Sequence, residues 1–367
     1  MKVINPEKTH GIVWRRKPEE NFRYNGWPTV CKDENGFIYA AGSSFRITHV
    51  CPTGKNCLWV SKDEGKTWSN PILLNDSILD DRDTGIVSLG NGKLLATWFS
   101  SFHKDYCEPL LATALCDTDK AIVKGAIDAW KSKTPEELQS RVGAYVKASE
   151  DAGMSWSDPI LVPLTAPHGP VKAKNGNLFY LGKEMNGGYV WESPIVFYTS
   201  ADDGLTWEKQ GTVPFPEGIT GGQFHEPHIL ELPGGRLLGA IRVEGLPVHP
   251  KATTYTTFSD DGGKSWSVPK PTGVCGMPPH LMLHSGGAVI LSYACRIPGE
   301  RCERAAVSYD GGETWEADYV LDDRVKDFYD LGYPSSVELS DGSILTVYYQ
   351  AYPGDPYTSF LYTKWKL

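Results

Sequence analysis

The octapeptide SKDEGKTW at residues 61–68 recurs in four variants: SEDAGMSW (149–156), SADDGLTW (200–207), SDDGGKSW (259–266) and SYDGGETW (308–315). All five copies share the pattern Ser-x-Asp-x-Gly-x-Thr/Ser-Trp. Asp and Ser side chains accept hydrogen bonds from turn amides, Gly adopts backbone shapes that a side chain forbids, and Trp can fill the space between two sheets. Each copy therefore predicts a turn that closes the outer strands of one repeating unit, away from any chemistry.

A second repeat, which reads strand, Gly-containing turn, strand, occurs six times. Its equivalent positions are Pro28, Thr84, Pro170, Pro227, Pro279 and Pro334, at intervals of 56, 86, 57, 52 and 55 residues. A period near 50 with about four strands per unit is typical of propeller blades. The sequence thus predicts an all-β fold, a single six-bladed β-propeller domain over residues 1–367.

Two irregularities of the repeat have structural explanations. The interval of 86 residues contains a helical insertion at about 117–146, in which Thr134 and the following Pro-Glu-Glu mark a helix start. We expect this insertion to cap the loops of the second blade. The sixth blade has no octapeptide, and its outer strands are predicted at 357–367 and 11–16, so that the ring closes by joining both ends of the chain.

Composition narrows the function classes. The formal net charge of −9 argues against nucleic acid or an anionic membrane surface as a partner, although a local Arg cluster could hold a small anion. No apolar run is long enough to span a membrane, and the polar segment 1–16 predicts no signal peptide and hence a cytoplasmic location. The eight cysteines show no paired spacing of a zinc site and are expected to be free thiols.

The residues that open the inner strands are the candidates for a site, because inner strands of a propeller converge on the central axis. They are rich in polar groups where core packing would place Val, Ile or Leu. They are Asn25, Trp27, Asp80, Asp81, Arg82, Asp83, His168, His225, Glu226, His228, His280, Asp330 and Tyr333. His225 and His228 would point to opposite faces of a strand, so we predict neither a metal nor a cofactor.

The octapeptide is similar to the Asp box of the sialidase (neuraminidase) family, and two further segments resemble that family. In EPHILELPGGRLLGAIR (226–242), the resemblance implies that Glu226 supports a tyrosine nucleophile and that Arg242 grips a substrate carboxylate. In DLGYPSSVELSDGSILTVYYQ (330–350), it places the nucleophile at Tyr333. Arg296, or Arg301 or Arg304 a few residues later, matches a further arginine of the family's carboxylate-binding triad.

The sequence departs from the family at two points. Sialidases carry Arg-Ile-Pro at the first inner strand, where this chain has Gly26-Trp27-Pro28. The region of the family's general acid reads His-Val-Cys-Pro from His49 and contains no carboxylate. Arg46 and Arg82 could replace the missing arginine, while Asp81, Asp83 or His49 could serve as acid/base.

These observations predict a glycoside hydrolase of sialidase type that removes a terminal acidic sugar from a small saccharide. Trp27, His168, His225, His228 and His280 are expected to contact the substrate. Three alternatives stay open: a uronate lyase with Tyr333 or a His as base, a glycosidase for another sugar, and a carbohydrate-binding propeller without catalysis. A phenol beside a carboxylate favours an enzyme, since Tyr nucleophiles are a known exception to the two-carboxylate scheme.

Overall fold

The computed structural model describes residues 1–112, 116–185, 191–245 and 253–367. Within these ranges the strands form six sheets, antiparallel apart from one added strand, which are the blades of a six-bladed β-propeller, as predicted. Two short strands precede the first blade: β1 (Lys2–Ile4) and β2 (Lys8–Trp14). The innermost strands of neighbouring blades contact one another around the axis.

The first three blades run from the innermost strand outward, with one insertion. Blade one contains β3 (Tyr24–Lys32), β4 (Ile38–Arg46), β5 (Lys55–Ser61) and β6 (Ile72–Asn75). Blade two contains β7 (Asp80–Gly90), β8 (Lys93–Ser101), the helices α1 (Lys104–Leu110), α2 (Asp117–Lys131) and α3 (Pro135–Gln139), then β9 (Gly143–Ser149) and β10 (Ile160–Val162). Blade three contains β11 (Leu164–Thr165), β12 (Val171–Lys172), β13 (Leu178–Glu184), β14 (Ile195–Ser200) and β15 (Glu208–Thr212).

The last three blades repeat this order. Blade four contains β16 (Phe224–Glu231), β17 (Leu237–Val243), β18 (Thr253–Ser259) and β19 (Lys270–Pro271). Blade five contains β20 (Met277–Leu283), β21 (Val289–Cys295), β22 (Cys302–Ser308) and β23 (Ala317–Asp322). Blade six contains β24 (Gly332–Glu338), β25 (Ile344–Ala351) and β26 (Thr358–Trp365).

The ring closes through the beginning of the chain, which confirms that prediction. Strand β2 pairs antiparallel with β26 and becomes the outer strand of blade six, with Lys8 opposite Trp365. Strand β1 adds a fifth, parallel strand to blade five by pairing with β23, which the repeat pattern did not indicate.

The five octapeptides form the turns between the third and fourth strands of blades one to five, as predicted. In the first, Asp63 accepts hydrogen bonds from the backbone N–H and the hydroxyl of Thr67, at 2.9 and 2.6 Å. The indole of Trp68 donates to the carbonyl of Gly65 at 3.1 Å. Gly65 has φ +83°, and a Cβ there would lie 2.3 Å from Leu345 of blade six. The turn therefore needs glycine both for its backbone shape and for its contact with the next blade.

The insertion has three helices and packs on loops at the front of blades one and two. Helix α3 begins at Thr134, whose side chain accepts from the Glu137 N–H in a capping box, so the predicted helix start is confirmed. The predicted bounds need correction, because α1 begins at Lys104 and residues 143–146 already belong to β9. The indole of Trp130 donates to the Ile78 carbonyl at 2.6 Å, which ties α2 to the loop before β7.

Candidate active site

β-Bulges on the inner strands aim the candidate side chains. The residue before the repeat's anchor position has a left-handed backbone in five of the six blades: Trp27 (φ 57°), Asp83 (50°), Gly169 (70°), Glu226 (45°) and Tyr333 (53°). Such values are uncommon for residues with side chains and concentrate at functional sites. In four of these blades, all but the one with Gly169, the strand pairing skips at the same place, and a bulge redirects its side chain. Proline often follows because sheets accept it at bulges and edges.

A cavity of about 510 Å³ lies at the front of the axis. Both catalytic and substrate-binding candidates of the prediction line this cavity. They are His49, Arg82, Asp83, Glu226, Arg242, Arg296 and Tyr333. The lining residues that the prediction did not include are headed by His103, Tyr106, Lys183 and Trp191. The cavity thus combines groups from blades one to six and from helix α1, as a propeller site should.

Tyr333 and Glu226 meet at the centre of this cavity. The Tyr333 hydroxyl donates to Glu226 Oε1 at 2.5 Å, and Arg242 donates to Glu226 Oε2 at 2.5 Å. Arg242 also donates to Glu244 at 2.9 Å. Both carboxylate oxygens of Glu226 are therefore engaged, one by a phenol and one by a guanidinium. We call these three residues, Tyr333, Glu226 and Arg242, the phenol wall.

Electrostatics keep Glu226 charged and Tyr333 neutral. Burial alone would raise the pKa of Glu226, but the charge of Arg242 and the hydrogen bond from Tyr333 leave this pKa below its usual value. Burial, together with the negative charges of Glu226 and Asp83, raises the pKa of Tyr333 well above its usual range. In the structure a neutral phenol donates to a carboxylate, so the phenol proton lies directly beside a basic oxygen of Glu226.

A second group beside the cavity is built around an aspartate and two arginines. Arg46 forms a bidentate ion pair with Asp80, at 2.5 and 3.0 Å, and Arg82 donates to the same carboxylate at 3.2 Å. The ring of Trp27 lies against both guanidinium groups, with Arg82 Cζ at 3.9 Å and Arg46 Cζ at 4.7 Å from its centroid. Arg46 and Trp27 are fully buried, and only Arg82 lines the cavity. We call Trp27, Arg46, Asp80 and Arg82 the arginine wall.

Asp81 and Asp83 have separate surroundings. Asp81 lies outside the cavity lining and accepts from Asn75, Ser77 and Ser100, a structural role on the loop before β7. Asp83 lines the cavity and leaves Oδ1 buried without a hydrogen-bond partner among the described residues. Burial raises the pKa of Asp83 to about 7; nearby Arg82 opposes the shift and Glu226 adds to it. Of the two carboxylates, the geometry favours Asp83 for proton transfer near neutral pH.

His49 also reaches the cavity and is held by a buried carboxylate. Its Nδ1 lies 3.2 Å from Asp330, which also accepts from the hydroxyls of Tyr24 and Tyr349, each at 2.7 Å. Burial would raise the pKa of Asp330, but the contacts with His49 and the two tyrosines lower it to about 2. Burial lowers the pKa of His49, so a neutral imidazole with its Nδ1–H on Asp330 fits the site.

Of the two predicted arginines of blade five, Arg296 lines the cavity and Arg304 does not. Arg296 lines the cavity, donates to the Leu331 carbonyl and the Tyr349 hydroxyl at 2.8 and 3.2 Å, and makes no ion pair within the described part of the chain. Arg304 instead pairs with Asp318 on the next strand of blade five, away from the cavity. The expectation of a substrate contact therefore does not fit Arg304, because its position on β22 directs it along the blade.

The predicted histidines, apart from His49, do not line the front cavity. His168, His228 and His280 form a cluster deeper on the axis, with ring centroids 4.4–5.7 Å apart, and line a separate cavity of about 480 Å³. His228 Nδ1 accepts from the Leu281 N–H at 2.9 Å. Burial lowers the pKa of His228 to about 3, so the ring stays neutral. His225 lies behind Trp191, with Nε2 3.0 Å from the Gly222 carbonyl.

Lys183 is the most buried of the missed residues. Its ammonium donates to the carbonyls of Trp191, Gly221 and Phe224, at 2.5, 2.8 and 2.9 Å. Burial lowers the pKa of Lys183 to about 8. It comes from β13, the second strand of blade three, and no sequence motif marks it.

Comparisons with known proteins agree with this architecture. A family model for the BNR repeat-like domain matches residues 122–347. This chain belongs to that family, within the sialidase-like BNR-repeat propellers. A search of curated proteins finds no match.

Three solved structures illustrate the shared fold. A protein of unknown function from Dyadobacter fermentans is 23% identical, with a TM-score of 0.76 and coverage of 99% of both chains. The NanB sialidase of Streptococcus pneumoniae is 16% identical, with a TM-score of 0.68 and coverage of 97% of this chain and 70% of that one. An α-L-arabinofuranosidase from Fusarium graminearum is 13% identical, with a TM-score of 0.62 and coverage of 98% of both. At these identities the likeness establishes the fold alone.

Two searches of the described residues gave negative results. No helix there is both long and apolar enough to span a membrane. No group of three or more His, Cys, Asp or Glu side chains there is arranged to hold a metal ion.

Proposed function

We propose that this chain is an exo-acting glycoside hydrolase that removes a terminal acidic sugar from a small saccharide with retention of configuration. The observation that carries the proposal is the 2.5 Å hydrogen bond from Tyr333 to Glu226 at the centre of the front cavity. A carbohydrate-binding protein has no need of a buried phenol whose proton can pass to a buried carboxylate. A nucleophile activated by an adjacent base is the usual device of covalent catalysis.

The three arginines that line the cavity supply the specificity. Arg82, Arg242 and Arg296 come from three different blades, and Arg296 has no carboxylate partner among the described residues. Guanidinium groups suit a carboxylate because their donors match its geometry. In this proposal Arg82 takes the place of the arginine that the family carries on the first inner strand, where Trp27 stands.

The reaction then proceeds in two steps. Tyr333 attacks the anomeric carbon while its proton passes to Glu226, and Asp83 donates its proton to the oxygen of the departing group. In the second step Asp83 takes a proton from water, the water oxygen attacks the anomeric carbon, and the tyrosine oxygen leaves and recovers its proton from Glu226. A tyrosine nucleophile suits a substrate whose anomeric centre already bears an anionic group, since a neutral phenol approaches it without charge repulsion.

A second candidate is a glycosidase for another sugar that uses two carboxylates. Asp83 and Glu226 lie close enough for the charge of Glu226 to help raise the pKa of Asp83 to about 7, after burial as the main cause. This is the pattern of a general acid beside a carboxylate nucleophile. In such an enzyme Tyr333 would orient Glu226 and would not bond to the sugar.

The test is release of a fluorophore from aryl glycosides of sialic acid, of uronic acids and of neutral sugars, with the wild type and with Tyr333→Phe. Turnover of an acidic glycoside that falls about 10³-fold in the variant, with ligand binding retained, supports the tyrosine mechanism. Turnover of a neutral glycoside with little change in Tyr333→Phe supports the two-carboxylate enzyme. Unsaturated products from a uronide would identify a lyase, and no turnover of any glycoside would overturn both proposals.

A further inference from the structure

A second cavity of about 510 Å³ continues from the front cavity between the loops of blades four and five. The two cavities share Trp191 and Arg296 in their walls. A substrate held at Tyr333 could therefore extend into this groove without crossing the rim. We call it the blade four–five groove. The groove is a separate volume, which is not counted in the 510 Å³ of the front cavity.

Trp191 is an exposed aromatic ring that is fixed from behind. It is 55% exposed, its ring centroid lies 4.4 Å from that of His225, and its carbonyl accepts from the buried ammonium of Lys183 at 2.5 Å. Lys183 in turn binds the carbonyls of Gly221 and Phe224. A large apolar side chain kept both exposed and anchored marks a binding surface more often than a surface without function.

The charges of the groove suit a neutral ligand. Its described lining contains one acidic side chain, Glu244, and one guanidinium, Arg296, beside Gln223 and several backbone segments. Glu244 uses Oε2 for Arg242, and its Oε1 lies 4.0 Å from His225 Nε2, beyond hydrogen-bond distance. The Oε1 atom can thus accept a hydrogen bond from a ligand hydroxyl. The described lining residues include no cluster of positive charge that would select a second acidic group.

We propose that the blade four–five groove binds the leaving-group part of the substrate, a neutral sugar whose apolar ring face stacks on Trp191 and whose hydroxyls bind Glu244. This inference rests on the proposed function and adds the direction of the substrate: the chain leaves over blades four and five. The other exit, over helix α1, is flanked by His103 and by Tyr106, which is 66% exposed. Tyr106 therefore offers a matched test of the opposite route.

The experiment compares two substrates that share the sugar cleaved. One carries a neutral disaccharide as leaving group, and the other is the glycosyl fluoride, which cannot reach the groove. We expect Trp191→Ala to lower kcat/KM for the saccharide about 10-fold more than for the fluoride. Tyr106→Ala should change this ratio less than about 2-fold, as should Tyr309→Ala, an exposed tyrosine in the fifth octapeptide.

A binding measurement keeps the test independent of turnover. We expect lactose or cellobiose to bind the wild type weakly in calorimetry, and Trp191→Ala to weaken that binding about 10-fold. An unchanged kcat/KM ratio in Trp191→Ala, a larger loss in Tyr106→Ala, or saccharide binding that ignores Trp191 would each overturn the inference. Lack of turnover with Trp191-dependent saccharide binding would instead overturn the proposed hydrolysis and leave the groove supported.

Discussion

The phenol wall and the arginine wall lie side by side at one cavity, with the ring centroids of Trp27 and Tyr333 6.4 Å apart, but they are built on different principles. The phenol wall, Tyr333, Glu226 and Arg242, lies on the two segments that resemble the sialidase family and forms a short chain of hydrogen bonds. The arginine wall departs from the family at Trp27 and instead gathers two guanidinium groups on Asp80 and on an indole ring. Only Arg82 of this wall reaches the cavity.

The difference teaches that an aromatic side chain on one blade can support a guanidinium group from the neighbouring blade. Trp27 stands on blade one, yet it supports Arg82 from blade two, because the two inner strands lie side by side at the axis. The phenol wall cannot be rebuilt so freely, since the Tyr333 hydroxyl must meet one oxygen of Glu226. We therefore expect chemistry to depend on the phenol wall and substrate selection to depend on the arginine wall.

The largest effect should come from Glu226→Gln in the phenol wall. The amide keeps the shape of Glu226 but cannot take the proton of Tyr333, so kcat on the best glycoside should fall about 10³-fold. The measurement is steady-state kinetics with an aryl glycoside. Glu244→Gln is the matched control, because Glu244 pairs with the same Arg242 but does not contact Tyr333; its kcat should fall less than about 10-fold. Similar losses in both variants would assign the effect to Arg242 and not to the phenol.

The next effect concerns the support of the arginine wall. Arg46→Met removes one partner of a fully buried ion pair and leaves the Asp80 carboxylate without it. This change should lower the free energy of unfolding by about 3–5 kcal/mol. Urea denaturation measures it. Arg304→Met breaks the more exposed pair with Asp318 and should have a smaller effect. Equal losses would contradict the view that Asp80 anchors this wall.

Asp83 lies between the two walls and gives a test by pH. With a pKa of about 7, raised chiefly by burial, Asp83 holds the proton of a general acid below that pH, so kcat should decline as pH rises above 7. Asp83→Asn should lower kcat about 10²-fold and remove this decline. Asp81→Asn is the control of the same residue type outside the cavity. If the decline persists in Asp83→Asn, His49 becomes the acid/base to test.

The raised pKa of Asp83 also predicts that the stability of the fold decreases as pH rises. Because the folded state raises the pKa of Asp83, this residue favours folding while it is protonated and loses that contribution as pH rises through about 7. Asp83→Asn should therefore flatten the fall in melting temperature between about pH 4 and 7. A steeper fall in the variant would contradict the burial of an ionisable Asp83.

The smallest effect should be seen with Arg82→Lys. An ammonium keeps the charge but loses the fork of donors and most of the contact with Trp27, so the preference for acidic over neutral glycosides should fall about 10-fold. The ratio of kcat/KM values for the two substrates measures it. Arg141→Lys, an exposed arginine of the insertion, should leave the ratio as in the wild type. An unchanged ratio in Arg82→Lys would show that the arginine wall does not select acidic substrates.

The sequence could predict the blades because all six repeat the inner hairpin and five repeat the outer turn. It also indicated Tyr333, Glu226, Arg242 and Arg296 as neighbours, and the structure places all four at one cavity. It could not choose between Arg46 and Arg82, since both donate to Asp80 and both lie against Trp27, and only the folded structure shows that Arg46 is covered while Arg82 lines the cavity. The sequence did not indicate Lys183, because this residue lies on the second strand of its blade and donates to backbone carbonyls that are distant in the sequence. The roles of these residues stay predictions.

The pairing of β2 with β26 has a consequence for how the protein is made. In the sequence, Lys8 and its partner Trp365 are separated by the strands of the first five blades. Blade six therefore cannot be completed until β26 has been synthesised, and β2 stays unpaired until then. Loop closure over such a separation is slow to achieve, and an unpaired edge invites association with other chains. Until β2 pairs with β26 and completes the ring, the unpaired strand is thus the part of the chain most exposed to association with other chains.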